Sequence, residues 1–195
     1  MKILIVLTYY RPHTSGLTIY VERLSQALAR RGHAVTVMTS QFDASLPRQE
    51  VVQGVRVVRV PVLLRISKGV IMPSFGWMAT RLALTHDVIH LHLPQFDAAG
   101  VALRGRCLGK PTVITYHCDL KLPPSIFNGL VNEVVDLMNH LAALFAHRIV
   151  TYTQDFAEHS PYLQRHASKV SIIPPPVELP PASAEAVADF AARYN

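Results

Sequence analysis

The chain is constrained most by a rhythm: short continuous apolar runs recur, each followed by a stretch with helical spacing and a turn into the next run. Ile3–Leu7 is the first run, and an unbroken apolar strand is what a sheet covered on both faces requires. Leu17–Arg31 then sets Leu17, Tyr20, Val21, Leu24 and Leu28 on one helical stripe, with Glu22, Arg23, Gln26 and Arg30 mostly elsewhere. Gly32-His33 ends that helix and Ala34–Thr39 is the second strand, completing one βαβ unit. Further strands are expected at Val55–Val60, Asp87–His92, Thr112–His117, Arg148–Tyr152 and Lys169–Ile173. Helices are expected at Phe75–Leu84, Phe96–Leu108, Ile126–Ala146 and Gln154–Gln164. Such alternation predicts an α/β fold: a mostly parallel sheet with helices on both faces. Residues 40–54 and 61–74 escape the rhythm, and each holds either a short extra strand or a mobile loop.

A chain of 195 residues supports one ordinary domain with a sizeable core. Residues 1–173 are expected to form it. Beyond Ile173, Pro174-Pro175-Pro176 and Pro180-Pro181 cannot continue a sheet, and Ala182–Asn195 reads as a short helix. This segment, 174–195, is either a helix packed back on the domain or the exit toward a second one. Cys107 and Cys118 cannot build a disulfide framework and fit a reducing compartment. No apolar run reaches membrane-spanning length, and Met1–Leu7 reads as a buried strand rather than a targeting peptide. The net charge of +6 comes without any Lys/Arg block, so nucleic acid is not an expected partner; phosphates, nucleotides and anionic lipid heads would be weakly attracted.

In open α/β sheets, ligands bind outside the carboxyl ends of the strands. The loop after the first strand carries Tyr9, Tyr10, Arg11, Ser15 and Gly16 and leads into a helix N-terminus, where free N–H groups suit an anion. Gly16 either admits a phosphate or sugar closely or simply starts the helix. GxGxxG, GxxxxGK[ST] and GxSxG are all absent, which removes motif support for dinucleotide, P-loop and serine-hydrolase readings. His90 and His92 alternate on one strand, and His117-Cys118-Asp119 leave the next. No metal-ligand spacing is recognisable among them, so no metal is expected. His117 with Asp119 suits donation to a substrate oxygen or orientation of a sugar hydroxyl; His90 and His92 also fit as satisfied core residues. Tyr9, Tyr10, Phe75, Trp77 and Phe96 are stacking surfaces for sugars or lipid chains, or else core. Val62–Leu84 mixes apolar residues with Arg65, Lys68 and Arg81, and reads either as a helix packed on the sheet or as a membrane contact.

Several stretches, taken in order, resemble the N-terminal half of a GT-B-fold, retaining glycosyltransferase of the family 4 type. They are Lys2–Leu7, Ser15-Gly16 leading to Tyr20–Leu24 and Leu28, Arg31–Val37, Asp87–His92, Pro111–Asp119 and Val170–Pro174. The resemblance implies one Rossmann-like half of a two-domain architecture, with this half mainly binding the acceptor and a C-terminal domain, absent from this chain, binding the donor. It implies transfer of a hexose from a UDP- or GDP-linked nucleotide sugar to a glycan or a polyprenyl- or other lipid-linked acceptor, without a metal or other cofactor. The position of Gly16 matches the glycine that approaches the donor diphosphate, and Ser15 replaces the usual first glycine of that pair. His117 matches the active-site histidine that contacts the donor sugar, and Tyr9, Tyr10 and Arg11 occupy the acceptor loop, with Asp119 beside the histidine. The location implied is cytoplasmic, at the inner face of the membrane when the acceptor is a lipid. Pro174-Pro175-Pro176-Val177 stands where Pro-Asn-Gly-Val is usual, and no second α/β domain or glutamate motif follows. The isolated domain is therefore expected to transfer nothing. Two other readings accompany the transferase: a nucleotide-sugar epimerase of the same architecture, and a non-catalytic carbohydrate- or lipid-binding domain.

Overall fold

The structure, a computed structural model, describes residues 1–66, 69–177 and 183–194. Its elements run β1 (Lys2–Val6), α1 (Gly16–Arg30), β2 (Ala34–Gln41), β3 (Gln49–Val52), β4 (Val55–Pro61), β5 (Leu64–Ile66), β6 (Gly69–Ile71), α2 (Phe75–Thr85) and β7 (Val88–Leu93). They continue with α3 (Ala98–Cys107), β8 (Thr112–Tyr116), α4 (Ile126–Phe145), β9 (Arg148–Thr151), α5 (Gln154–His159), α6 (Pro161–Arg165), β10 (Val170–Ile172) and α7 (Ala184–Tyr194). Eight strands form one sheet in the order β10-β9-β8-β7-β1-β2-β4-β3, parallel throughout except for the antiparallel edge pair β3–β4. This is the Rossmann-like α/β fold that the rhythm predicts.

The two undecided stretches both hold strands. Residues 40–54 contain β3, and residues 61–74 contain the separate hairpin β5–β6. The helix expected at Gln154–Gln164 is two helices. Pro161 has no N–H to continue α5, and the Ser160 hydroxyl caps α6 by accepting from the Leu163 N–H at 3.5 Å. Phe96 lies outside α3, in the turn before it. Part of the proline-rich exit, residues 178–182, and Lys68 of the basic apolar segment lie outside the described residues.

Local chemistry fixes the helix ends. The Ser15 hydroxyl accepts from the Thr18 N–H and caps α1. At the other end the His33 N–H reaches the Leu28 carbonyl and the Gly32 N–H that of Ala29, with Gly32 at φ +81°. That double closure needs a left-handed residue, which is why glycine stands there.

Alternation along the strands divides the core into two layers. Leu4, Val6, Met38, Ile89, Leu91 and Ile114 face α2, α3 and the end of α4. Ile3, Ile5, Leu7, Val35, Val37 and Val57 face α1. Each such side chain contributes about 1.5–3 kcal/mol by leaving water. Gly105 lets α3 lie tight on the sheet, because a β-carbon there would collide with the Thr112 hydroxyl. At the end of α4, Lys169 Nζ donates to the carbonyls of Ala143, Leu144 and Ala146 at 2.7, 3.0 and 2.9 Å, satisfying acceptors that the helix itself cannot.

Candidate active site

Parallel pairing brings the carboxyl ends of β7, β8 and β9 side by side. His92 is level with Thr115, and Thr115 with Val150, so His117 and Tyr152 leave adjacent strands together. His92 Nδ1 and His117 Nε2 are 2.9 Å apart, and the Tyr152 hydroxyl bonds His117 Nδ1. His90 Nε2 meets Thr115 Oγ1 at 2.8 Å, and the His90 and His92 rings lie 4.4 Å apart. From α1, Tyr20 presents its ring at 88° to His117, 5.2 Å between centroids. The order of strands reverses between β7 and β1, the switch point where open α/β sheets hold ligands.

Burial determines the charge state. It holds His90 and His117 down to about 4, with His90 adding to the effect on His117, and it holds His92 well below the ordinary range. Burial also raises Tyr152, and raises Tyr20 against an opposing hydrogen bond with Thr115. The cluster is therefore neutral at pH 7. Its protons can be arranged in two ways. If Tyr152 donates to His117 Nδ1, His117 donates onward to His92 Nδ1, and a buried His92 Nε2–H is left without a partner among the described residues. In the reverse arrangement His92 donates to His117, His117 donates to the Tyr152 oxygen, and His92 Nε2 keeps only a bare lone pair. Either way the buried His92 Nε2 lacks a partner among the described residues, as a donor in the first arrangement and as an acceptor in the second. The second leaves the Tyr152 O–H free to donate to a ligand.

The remaining sequence candidates divide. Gly16 sits one helical turn before Tyr20, its N–H in the open first turn of α1. A β-carbon added there would meet nothing within 4 Å, so the space above it is open. The Ser15 hydroxyl is occupied by Thr18, through both its N–H at 3.2 Å and its hydroxyl at 3.0 Å. Tyr9 is half-buried and stacks on His13 at 4.9 Å. Tyr10 turns inward, with its hydroxyl 3.3 Å from Ser25 Oγ. Arg11 donates twice to Glu22 Oε2, at 2.8 and 2.6 Å. Asp119 Oδ1 accepts from Tyr116 and Ser160 at 2.9 and 2.8 Å, so it ties the strand exit to the start of α6 and does not join His117. A hollow of about 440 Å³ borders Arg11, Glu22, Glu50 and Arg59, none of which belongs to the histidine cluster. Among the described residues no group of three His, Cys, Asp or Glu could hold a metal ion.

Sequence reading missed Tyr20 and Tyr152 as site residues. Tyr20 reads as one member of an apolar stripe, and Tyr152 as the end of a strand. The signal available was the matching exit position of His117 and Tyr152 on neighbouring strands, which needs the register.

The model of Glycosyltransferase Family 4 matches residues 14–179. The chain is 30% identical over 161 residues to a 2-deoxystreptamine N-acetyl-D-glucosaminyltransferase of Streptomyces fradiae, covering 73% of this chain and 38% of that protein. It is 29% identical over 126 residues to a GDP-mannose-dependent alpha-mannosyltransferase of Mycolicibacterium smegmatis, covering 62% and 33%. The chain thus spans well under half the length of these relatives. Among solved structures, a piece of sucrose-phosphate synthase from Thermosynechococcus elongatus superposes with a TM-score of 0.54 at 16% identity, covering 100% of this chain and 96% of that one. MurG of Acinetobacter baumannii superposes at 0.52 with 14% identity, covering 95% and 47%; both likenesses show the fold. With 166 consecutive residues matched by the family model, the chain belongs to glycosyltransferase family 4.

Proposed function

We propose that this chain supplies the acceptor side of a retaining glycosyltransferase that moves a hexose from a UDP- or GDP-linked sugar to a glycan or a polyprenyl- or other lipid-linked acceptor. The observation that carries this reading is the neutral His92–His117–Tyr152 chain beside the open first turn of α1 at the switch point of the sheet. The Gly16 and Leu17 N–H groups, with the partial positive charge of the helix end, suit a diphosphate. Both ring nitrogens of His117 are engaged, Nε2 by His92 and Nδ1 by Tyr152, so a hydrogen bond from His117 to the sugar takes the place of the one to Tyr152. The bond between the anomeric carbon and the diphosphate oxygen breaks while a bond to the acceptor oxygen forms on the same face. The acceptor's proton passes to the departing phosphate oxygen, so no histidine need serve as base, in keeping with a pKa of about 4 at His117. Fixed donors aimed at the leaving oxygens stabilise charge as it develops.

On this reading a second domain binds the nucleotide, and the protein works in the cytoplasm, at the inner membrane face when the acceptor is a lipid. The relative named for GDP-mannose supports a nucleotide-sugar donor. The test is turnover of a transfer-competent protein that includes this domain. His117→Ala is expected to lower it well over tenfold with the circular dichroism spectrum unchanged. Full turnover in the folded variant would remove His117 from the site.

A further inference from the structure

Tyr20 stands where three rings of the site meet. Its centroid lies 5.2 Å from that of His117, 5.8 Å from His92 and 5.3 Å from Tyr152, at interplanar angles of 88°, 62° and 47°. Edge-to-face contact at such distances is a favoured arrangement of aromatic rings. Tyr20 is buried, and α1 carries it as a rigid element. Side chains on a helix lean toward its N-terminus, so the ring covers the turn that begins at Gly16, four residues back and about 6 Å along the axis. One residue therefore touches the histidine end of the site and underlies the open N–H groups at the other end.

The contact with His117 gains weight when Tyr152 lets go. His117 is held at Nε2 by His92 and at Nδ1 by Tyr152. A sugar hydroxyl bonded to His117 takes the place of Tyr152, and the ring then keeps one hydrogen bond to protein, at Nε2. That nitrogen lies closer to the Cβ–Cγ axis than Nδ1 does, and rotation about this axis has broad wells in histidine. A single bond at Nε2 restrains the plane of the ring weakly, and packing must supply the rest. Tyr20 meets His117 almost at a right angle and also borders Tyr152, whose hydroxyl changes partner. The apolar stripe of α1 does not account for this choice of residue. Leu17, Leu24 and Leu28 serve the same stripe, and a leucine at position 20 would serve it as well. What a leucine lacks is a flat ring to set against the imidazole.

We propose that Tyr20 is a positioning residue of the transfer site: its ring fixes the plane of His117 once the sugar has replaced Tyr152, and ties that plane to the first turn of α1. The proposal rests on the transfer reaction proposed for this site. Its test uses a transfer-competent protein that includes the domain. Tyr20→Leu is expected to lower kcat about tenfold or more with KM for the donor within about twofold, because small errors of alignment act on the reacting geometry rather than on ground-state binding. Tyr20→Phe keeps the ring and is expected to hold kcat within about twofold of the wild type. Leu24→Ala, one turn further along the stripe, is expected to lower the melting midpoint and leave kcat within about twofold. Full kcat in folded Tyr20→Leu overturns the proposal. So does a Tyr20→Phe variant as slow as Tyr20→Leu, or an equal loss of kcat in Leu24→Ala, which would make Tyr20 a packing residue. His117→Ala measured alongside separates the two possible failures. If it is slow while Tyr20→Leu is fully active, the positioning role alone falls. If it keeps full turnover, His117 leaves the site and the role of Tyr20 falls with it.

Discussion

His92 and His117 meet at 2.9 Å where the sheet ends, and His140 and His166 meet at 2.8 Å where α4 and α6 pack. The two contacts look alike, but their neighbours differ in kind. Arg165 Nη1 lies 2.9 Å from His140 Nε2, and an arginine can only donate. Asp136 Oδ2 lies farther from that nitrogen, at 3.4 Å, so the shorter arginine contact favours His140 accepting there, with its proton on Nδ1 donated to His166 Nε2. Tyr162 packs against both rings, 5.1 and 5.2 Å away, so the pair works as a clamp between two helices. The partners of His117 are instead a histidine and a tyrosine, each able to donate or accept. A clamp needs a single proton arrangement, whereas a site that takes up a ligand gains from having two.

The largest expected difference is in turnover. In a transfer-competent protein, His117→Ala lowers turnover well over tenfold, more than about 1.4 kcal/mol of barrier, while His166→Ala leaves it within about twofold. Equal losses would erase the distinction. The next effect is on acid stability. His90 and His117, near 4 when folded, return to about 6.5 in the unfolded chain, so below pH 6.5 the unfolded state binds more protons. Stability is then flat above about pH 6.5 and falls toward pH 4, by at most about 1.4 kcal/mol per pH unit for each histidine. His92 extends the loss to lower pH. Urea unfolding from pH 4 to 7 should show a shallower slope for His117→Asn than for His166→Asn; the opposite ranking would contradict the burial assigned here.

Tyr152→Phe removes the hydroxyl beside His117 and is expected to cost about 1 kcal/mol of transition-state stabilisation, read as turnover at saturating donor. A change confined to KM would make the hydroxyl a binding group only. Smallest is Arg165→Leu, which frees the proton arrangement of the clamp. It should lower stability by about 0.5–1 kcal/mol in a denaturant melt and leave turnover alone. A loss of turnover there would mean that the two pairs are coupled.

Strands buried on both faces announce themselves as apolar runs, so β1, β2, β4, β7, β8 and β9 were legible in the sequence. β3 was not. Its Gln49-Glu50-Val51-Val52 lies at an exposed edge, where no burial pattern is imposed. β5 and β6 have three residues each, too few to carry a period. The break in 154–164 was written locally, in Ser160-Pro161, and went unread. In the site, His117 and Gly16 could be marked because their place follows from the order of elements. Asp119 reads as a free carboxylate in the sequence, whereas in the structure it is held between Tyr116 and Ser160. Tyr10 reads as either a stacking surface or core, and its buried hydroxyl lies beside Ser25. Those engagements span 3 to 41 residues of chain, and nothing in the local sequence distinguishes a held side chain from a free one.

The lysine that closes α4 also sets an order of events during synthesis. Ala146 emerges from the ribosome 23 residues ahead of Lys169, so the last carbonyls of α4 spend that interval facing water. The helix becomes a finished part of the domain only when the chain has been made as far as β10. A nascent chain released before that point would carry β8 and α4 with the end of the helix still open.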